Sequence, residues 1–206
     1  MSRPLLITDC DEVLLHMVVP FAEWLDEAHH IHFDLDLGDF ANALRHKATG
    51  ELVPGPNIWP LLQDFFKSEM PRQRAIDGAV EAVNAIAADA DVVILTNLTD
   101  DFQIARTEQL RGLGIDFPVV TNQGGKGEPL ARIVADYAPS VTVFVDDLAH
   151  QHVSVAEHAP EVWRLHMVGE PRLQPFIRTP DAAHHRIDDW QNATGWIIDR
   201  FKGVPL

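Results

Sequence analysis

Polar side chains follow three short apolar runs of the chain, and their types and positions suit chemistry on a charged substrate. They are Asp9 and Asp11, Thr96 and Asn97, and Asp146 and Asp147. If the runs are parallel strands, their carboxyl ends border one crevice and these side chains converge there. Clustered carboxylates repel one another, which favours a bound cation. Mg²⁺ prefers carboxylate and carbonyl oxygens, and the four aspartates therefore predict a magnesium site.

The remaining polar residues suit a phosphate group. Thr96 offers a hydroxyl, and Asn97 offers an amide at the expected start of a helix, where backbone N–H groups favour an anion. Lys126 lies in a glycine-rich run over residues 122–127 and supplies a positive charge. An aspartate that attacks a phosphate must overcome repulsion between two anions, which Mg²⁺ and a lysine can offset. A second aspartate two residues away could protonate the leaving oxygen and later activate water.

Apolar runs that alternate with amphipathic segments predict the framework that holds these residues. The predicted strands cover residues 5–8, 92–95, 119–120, 141–145 and 162–165. The predicted helices cover residues 76–86, 102–113, 130–137 and 188–201. Continuous apolar runs are typical of strands covered on both faces. Because strands alternate with helices, we expect an α/β fold with a parallel sheet and right-handed crossovers.

One stretch of the chain, residues 18–70, breaks this alternation. It contains no convincing buried strand, and its helical patterns cover residues 20–30, 39–46 and 61–66. We interpret it as a small, mostly helical insertion after the first strand. The predicted domains are therefore a core, residues 1–17 and 71–206, and the insertion.

Four motifs, in this order, resemble those of the haloacid dehalogenase-like (HAD) hydrolases. They are a strand followed by Asp9-Cys10-Asp11, a strand ending in Thr96-Asn97, Lys126, and a strand ending in Asp146-Asp147. The resemblance spans residues 5–148 and implies a Rossmann-like parallel sheet flanked by helices. The insertion falls where this family carries a cap after strand 1, and such caps close over the site and set substrate choice.

The resemblance implies roles for the first motif. Asp9 is expected to be the nucleophile, and Asp11 the general acid and base, with its backbone carbonyl also on the metal. An acid at the position of Asp11 is typical of the phosphatases in this family and is missing in the dehalogenases. Glu12 departs from the family, which often has glycine there, and it adds a negative charge beside the site.

The other three motifs are expected to hold the phosphate and the metal. Thr96 and Lys126 resemble the phosphate-binding residues of the family, and Lys126 also holds the nucleophile. Asp147 resembles the direct Mg²⁺ ligand and Asp146 a ligand through water, although these two roles could be exchanged.

The leading hypothesis is a Mg²⁺-dependent enzyme that hydrolyses a small phosphomonoester, a phosphorylated metabolite, through an aspartyl-phosphate. Alternatives of the same fold are a phosphomutase or a dehalogenase. A phosphoacceptor module also uses an acid pair, a threonine and a lysine, but its acceptor aspartate lies on a later strand than the acid pair. A catalytically silent binding protein with an HAD-like fold is the last alternative, and the oligomeric state is open.

Charge and composition exclude some classes of partner. The chain has 206 residues with 16 Lys and Arg and 31 Asp and Glu, a formal charge of −15. Such a charge argues against duplex nucleic acid and anionic membranes as partners. The single cysteine, Cys10, suits a reducing compartment. Because the apolar run before Asp9 is too short for a signal peptide, we expect a cytoplasmic protein.

Overall fold

Eight strands form two sheets in the part of the chain that the computed structural model describes, residues 2–37 and 42–204. In chain order they are β1 (Leu5–Thr8), β2 (Ile31–Phe33), β3 (Leu44–His46), β4 (Asp91–Thr96), β5 (Val119–Thr121), β6 (Thr142–Asp146), β7 (Trp163–His166) and β8 (His185–Arg186). Six of them form a sheet in the order β5-β4-β1-β6-β7-β8, and every pairing in it is parallel. The predicted α/β fold with a parallel sheet is confirmed.

Seven α-helices accompany these strands in the described residues. They are α1 (Val18–His29), α2 (Ile58–Ser68), α3 (Ala79–Ala87), α4 (Gln103–Gly112), α5 (Gly127–Tyr137), α6 (Ala149–His158) and α7 (Trp190–Phe201). None of the described helices has both the length and the apolar content that crossing a membrane requires.

Both faces of the six-stranded sheet are covered by helices. Leu6 of β1 points into a cluster formed with α3 and α7, whereas its neighbours Leu5 and Ile7 point into a second cluster formed with α5 and α6. This alternation is the consequence of the period of two along a strand. A strand covered on both faces favours consecutive apolar residues, and runs of this kind predict the five strands from the sequence.

Helix α6 was not predicted, and the reason is its composition. Its buried residues are Gln151, His152 and Val155, of which two are polar, so it lacks the apolar stripe that marks an amphipathic helix. The short edge strand β8 was not predicted either. It has two residues, His185 and Arg186, and carries no apolar run.

The described residues within 18–70 form a layer whose hydrophobic cluster is separate from the two clusters that cover the sheet. Helices α1 and α2 pack around Phe21, Phe33 and Phe65, and the cluster also takes in Val168 and Leu173 from the loop after β7. The predicted helices over residues 20–30 and 61–66 are confirmed as α1 and α2. The predicted helix over residues 39–46 is wrong where the structure describes it, because Leu44–His46 pairs with Ile31–Phe33 as an antiparallel strand. Residues 39–41 lie outside the described part of the chain.

The two chain segments that join this layer to the sheet are hydrogen-bonded to each other. His16 donates its backbone N–H to Arg74 O at 2.9 Å, and Ile76 donates to Leu14 O at 2.9 Å. Leu15 and Ala75 form an antiparallel bridge between the same segments. The outgoing linker follows Asp11 in the chain, so the insertion is joined to the sheet close to the end of β1.

Candidate active site

Strand β1 lies in the middle of the sheet, and Asp9 follows its last residue. Thr8 pairs with Ile94 of β4 on one side and Val145 of β6 on the other. Asp9 continues this ladder by donating its N–H to Val145 O at 2.9 Å. The chain leaves β1 for β4 on one side and later reaches β6 on the other, so the carboxyl end of β1 is the point at which open α/β sheets bind ligands.

Three aspartates meet at this edge of the sheet. Asp9, Asp146 and Asp147 are all buried, and each offers a carboxylate oxygen within 4.8 Å of the others. Burial raises the pKa of Asp9 from its ordinary value of 3.8 to about 7, against the opposing effect of Lys126 and with a further increase from Asp146. Burial, together with Asp146 and Asp9, also raises the pKa of Asp147 well above its ordinary value. The cluster thus holds more negative charge than its surroundings stabilise.

Lys126 is the cation within this cluster. Its Nζ lies 2.7 Å from Oδ1 of Asp9 and 2.6 Å from Oδ2 of Asp146. Burial by itself lowers the pKa of Lys126, but Asp146 and Asp9 raise it, and the net pKa lies above the ordinary value. One ammonium group therefore faces three carboxylates. The excess of hard oxygen ligands is the donor set that Mg²⁺ prefers, so the residues present fit this ion.

Tight packing between α5 and α6 sets the position of Lys126. Its backbone N–H donates to Oε1 of Gln151 at 2.7 Å, and the next residue, Gly127, donates to Oγ of Ser154 at 3.0 Å. A Cβ atom on Gly127 would lie 2.1 Å from Ser154 O, so only glycine allows this approach. The glycine-rich run therefore places the lysine through close packing of α5 against α6.

Thr96 and Asn97 lie at the end of β4, and their side chains differ in exposure. Thr96 is fully buried, and its Oγ1 has no hydrogen-bond partner among the described residues. Asn97 is exposed and donates Nδ2 to Gly124 O at 2.9 Å, while its Oδ1 accepts from Asn122. The expected helix start at this position is wrong, because a turn begins at Asp100 and α4 only at Gln103. The Thr96 hydroxyl is therefore available to a ligand, whereas the Asn97 side chain forms hydrogen bonds with the loop before Lys126.

Asp11 is not part of the carboxylate cluster. Its Oδ1 and Oδ2 accept from Nη2 of Arg106 at 3.0 and 3.1 Å, and Oδ1 also accepts from Nε2 of Gln73 at 2.6 Å. The two donors reach it from α4 and from the returning linker. Neither residue was singled out in the sequence, since a lone arginine in a polar helix usually lies in solvent.

Glu12 has a structural role that the sequence did not reveal. It has φ +60°, the left-handed region in which glycine is most at ease. Its buried Oε1 accepts from the backbone N–H groups of Met17 at 2.8 Å and Val18 at 2.6 Å. Because burial raises the pKa of Glu12 to about 7, its carboxyl group is easily protonated. Glu12 thus caps α1 from the loop that carries Asp9 and Asp11.

Two buried histidines contact the backbone carbonyl oxygens of Asp146 and Asp147. His152 Nε2 lies 3.0 Å from Asp146 O, and His166 Nε2 lies 2.8 Å from Asp147 O. A carbonyl oxygen only accepts hydrogen bonds, so each Nε2 carries the hydrogen. Burial lowers the pKa of His152 to about 4 and also lowers that of His166. Both rings are therefore neutral donors.

Comparisons with known proteins match this chain by structure and not by sequence. No family model matches it, and no curated protein matches it. A haloacid dehalogenase-like hydrolase from Streptococcus pneumoniae superposes with a TM-score of 0.64 at 11% identity, over 93% of this chain and 97% of that one. YfnB from Bacillus subtilis, a HAD-hydrolase bound to magnesium, superposes with a TM-score of 0.65 at 14% identity, over 96% and 99%.

The chain has the haloacid dehalogenase-like fold. A predicted phosphoglycolate phosphatase from Haemophilus somnus also matches this HAD-like chain, with a TM-score of 0.59 at 14% identity over 98% of this chain and 97% of that one. The matches run over nearly the whole length, so they include the insertion as well as the sheet. The resemblance drawn from four short motifs is confirmed at the level of the fold.

Proposed function

We propose that this protein is a Mg²⁺-dependent phosphatase that hydrolyses a small phosphomonoester through an aspartyl-phosphate. One observation carries the proposal. Only one carboxylate oxygen of Asp9 accepts hydrogen bonds from described residues, and two further buried carboxylates lie beside it. Its Oδ1 contacts Lys126 Nζ at 2.7 Å and accepts the N–H of Cys10 at 2.7 Å. No described residue donates a hydrogen bond to Oδ2, which leaves that oxygen to act as a nucleophile.

The metal would be held by side chains of the cluster. Asp9 and Asp147, with the backbone carbonyl of Asp11, are the proposed direct ligands of Mg²⁺. Asp146 is less available, because its Oδ2 contacts Lys126 and its Oδ1 accepts the N–H of Leu148 at 2.8 Å. We therefore assign Asp146 a ligand role through water. Bound Mg²⁺ would offset the negative charge that the substrate phosphate brings to this site.

The first half-reaction transfers the phosphoryl group to the protein. Oδ2 of Asp9 forms a bond to phosphorus while the bond from phosphorus to the leaving oxygen breaks. Asp11, which must carry a proton at this stage, donates it to the leaving oxygen and becomes a carboxylate. Lys126 and the free hydroxyl of Thr96 stabilise the charge on the phosphoryl oxygens. Asn97 follows Thr96 in the chain, and we propose that its backbone N–H donates a further hydrogen bond to the phosphate.

The second half-reaction returns the protein to its starting state. Asp11 takes a proton from water, and the resulting hydroxide forms a bond to phosphorus. The bond between phosphorus and Oδ2 of Asp9 breaks, which releases phosphate and leaves Asp11 protonated for the next cycle. We further propose that residues 18–70 act as the cap that excludes water and selects the substrate, with a phosphorylated metabolite as the substrate class.

Release of phosphate from para-nitrophenyl phosphate and from a panel of metabolite phosphates tests the proposal. We expect turnover with Mg²⁺, its loss with a chelator, and its recovery when Mg²⁺ is restored. Asp9→Asn keeps the size of the side chain and is expected to lower turnover by about 10³-fold or more. Wild-type protein with no Mg²⁺-dependent turnover on any substrate would contradict the proposal.

Two results would support an alternative instead. Slow, stable labelling of Asp9 by a phosphate donor without turnover would favour a phosphoacceptor. Transfer of the phosphoryl group between two positions of a sugar phosphate, without release of phosphate, would favour a phosphomutase. Full activity of Asp9→Asn would show that Asp9 is not the nucleophile even if turnover is real.

A further inference from the structure

Arg106 is a fully buried cation on a helix that is otherwise mostly exposed. In α4 only Arg106 and Leu110 are buried. The guanidinium contacts the Asp11 carboxylate through Nη2, as described above, and Nη1 lies 3.1 Å from Sγ of Cys10. Burying a guanidinium is costly unless an anion is paired with it. The pairing with Asp11, which is a carboxylate after the first half-reaction, therefore accounts for its place in the interior.

A residue of the insertion also contacts this guanidinium. Phe66 of α2 places its ring 5.5 Å from the guanidinium carbon of Arg106, within the range of a cation–π contact. The ring also lies 6.3 Å from that of Phe102, directly before α4. Arg106 therefore contacts both Asp11 and a residue of the proposed cap.

The two carboxylate oxygens of Asp11 accept different numbers of hydrogen bonds. Oδ1 accepts from both Arg106 and Gln73, whereas Oδ2 accepts only from Arg106, at 3.1 Å. With its carboxylate held on two sides, Asp11 loses most of its rotational freedom. Its less occupied oxygen is the one with room for a proton or a leaving group.

We propose that Arg106 is a positioning residue for Asp11 and that Phe66 couples this positioning to the insertion. The proposal rests on the proposed phosphatase function, in which Asp11 protonates the leaving oxygen. Without Arg106, Asp11 can turn away from the position at which the leaving oxygen is protonated. General acid catalysis depends on such placement, and it matters most when the leaving group is a poor one.

Two substrates with different leaving groups separate positioning from a general structural role. An alkyl phosphate releases a basic alkoxide that needs a proton, whereas para-nitrophenyl phosphate releases a stable anion that does not. The quantity to compare is kcat/KM, because it reports only the steps up to transfer of the phosphoryl group to Asp9. We expect Arg106→Met to lower kcat/KM for the alkyl phosphate by about tenfold or more beyond its effect on the aryl phosphate.

Two variants complete the test. Arg106→Lys, which keeps the charge but loses the planar fork, is expected to fall between wild type and Arg106→Met. Arg111→Met is the matched control, since Arg111 is an exposed arginine of the same helix paired with Asp116. We expect Arg111→Met to leave kcat/KM unchanged for both substrates. If Arg106→Met does not fold, Phe66→Leu keeps Arg106 and is expected to shift the ratio of the two substrates in the same direction.

The outcomes are distinct. A selective loss on the alkyl phosphate supports the positioning role. An equal loss on both substrates, or no loss on either, overturns it while the phosphatase function stands. Wild-type protein that turns over neither substrate contradicts the phosphatase function, and the role of Arg106 falls with it.

Discussion

The Nζ atom of Lys126 lies 2.6 Å from Oδ2 of Asp146, and both side chains are buried. The same ammonium contacts Asp9, so two carboxylates depend on one cation. Removing one partner of a buried ion pair leaves an uncompensated charge, which typically costs about 3–5 kcal/mol. We expect Lys126→Met to lower the free energy of unfolding at neutral pH by about that amount and to lower kcat by about 100-fold or more.

Urea denaturation and steady-state rates measure these two effects of Lys126→Met. Lys202→Met is the matched control, because Lys202 is exposed at the end of α7. Wild-type stability together with wild-type activity in Lys126→Met would contradict the described ion pair.

The stabilising effect of Mg²⁺ should increase with pH. The pKa of Asp9 is raised from 3.8 to about 7, and that of Asp147 is also raised, so the folded state binds these protons more tightly than the unfolded state does. Without metal, the contribution of Asp9 to stability is therefore fully present below about pH 4 and is lost as the pH rises through about 7. The contribution of Asp147 is lost in the same direction. Mg²⁺ competes with these protons and compensates for their loss. The difference in Tm with and without Mg²⁺ should grow from about pH 5 to about pH 8.

The pKa of a buried histidine has the opposite effect on stability at lower pH. The pKa of His152 is lowered from 6.5 to about 4, so its contribution is present above its ordinary pKa and is lost as the pH falls. That loss begins below about pH 6.5, so above this pH the difference in Tm reports the carboxylates. Asp147→Asn should abolish the Mg²⁺ effect on Tm, and a Mg²⁺ effect that is unchanged in this variant would exclude Asp147 as a ligand.

Glu12 is expected to stabilise the start of α1. Glu12→Ala removes the acceptor of two backbone N–H groups and should lower the free energy of unfolding by about 1–3 kcal/mol. Glu12→Gly loses the same acceptor but relieves the cost of φ +60°, so it should be less destabilised than the alanine variant. Glu12→Gln keeps an acceptor oxygen and should stay within about 1 kcal/mol of wild type.

Urea denaturation orders the three Glu12 variants. Hydrogen exchange at the Met17 and Val18 amides gives a local readout, which should speed up in the alanine and glycine variants but not in the glutamine variant. Equal stability of the alanine and glutamine variants would show that the cap contributes nothing.

His152 is expected to affect metal affinity without touching the metal. His152→Leu leaves the carbonyl of Asp146 without its donor, which should lower stability by about 1–3 kcal/mol. Loss of such outer-shell support usually weakens metal binding by about 10- to 100-fold. Mg²⁺ titration followed by Tm measures the change. His158→Leu, an exposed position on the same helix, should leave Mg²⁺ affinity unchanged, and equal affinities in both variants would contradict the role of His152.

Much of the fold could be predicted from the sequence because the central strands are covered on both faces. Burial on both faces favours runs of consecutive apolar residues, as in residues 5–7 of β1 and 143–145 of β6, and such runs are visible without a structure. Where packing uses polar groups the pattern disappears. The sequence does not predict helix α6 for this reason. The prediction of a helix over Leu44–His46 is wrong because a strand of three residues is too short to show a period.

The sequence by itself determined which residues could meet at the end of the sheet. Asp9, Thr96, Asp146 and Asp147 each follow or end a strand, and the parallel order of the strands brings them to one edge. Only the tertiary structure decided what surrounds them. It turns Asp11 toward Arg106, 95 positions away, and places Glu12 on the start of α1. Strand ends are fixed by local patterning, whereas the partner of a buried charge is fixed by the packing of distant elements, which leaves no periodic signal in the chain.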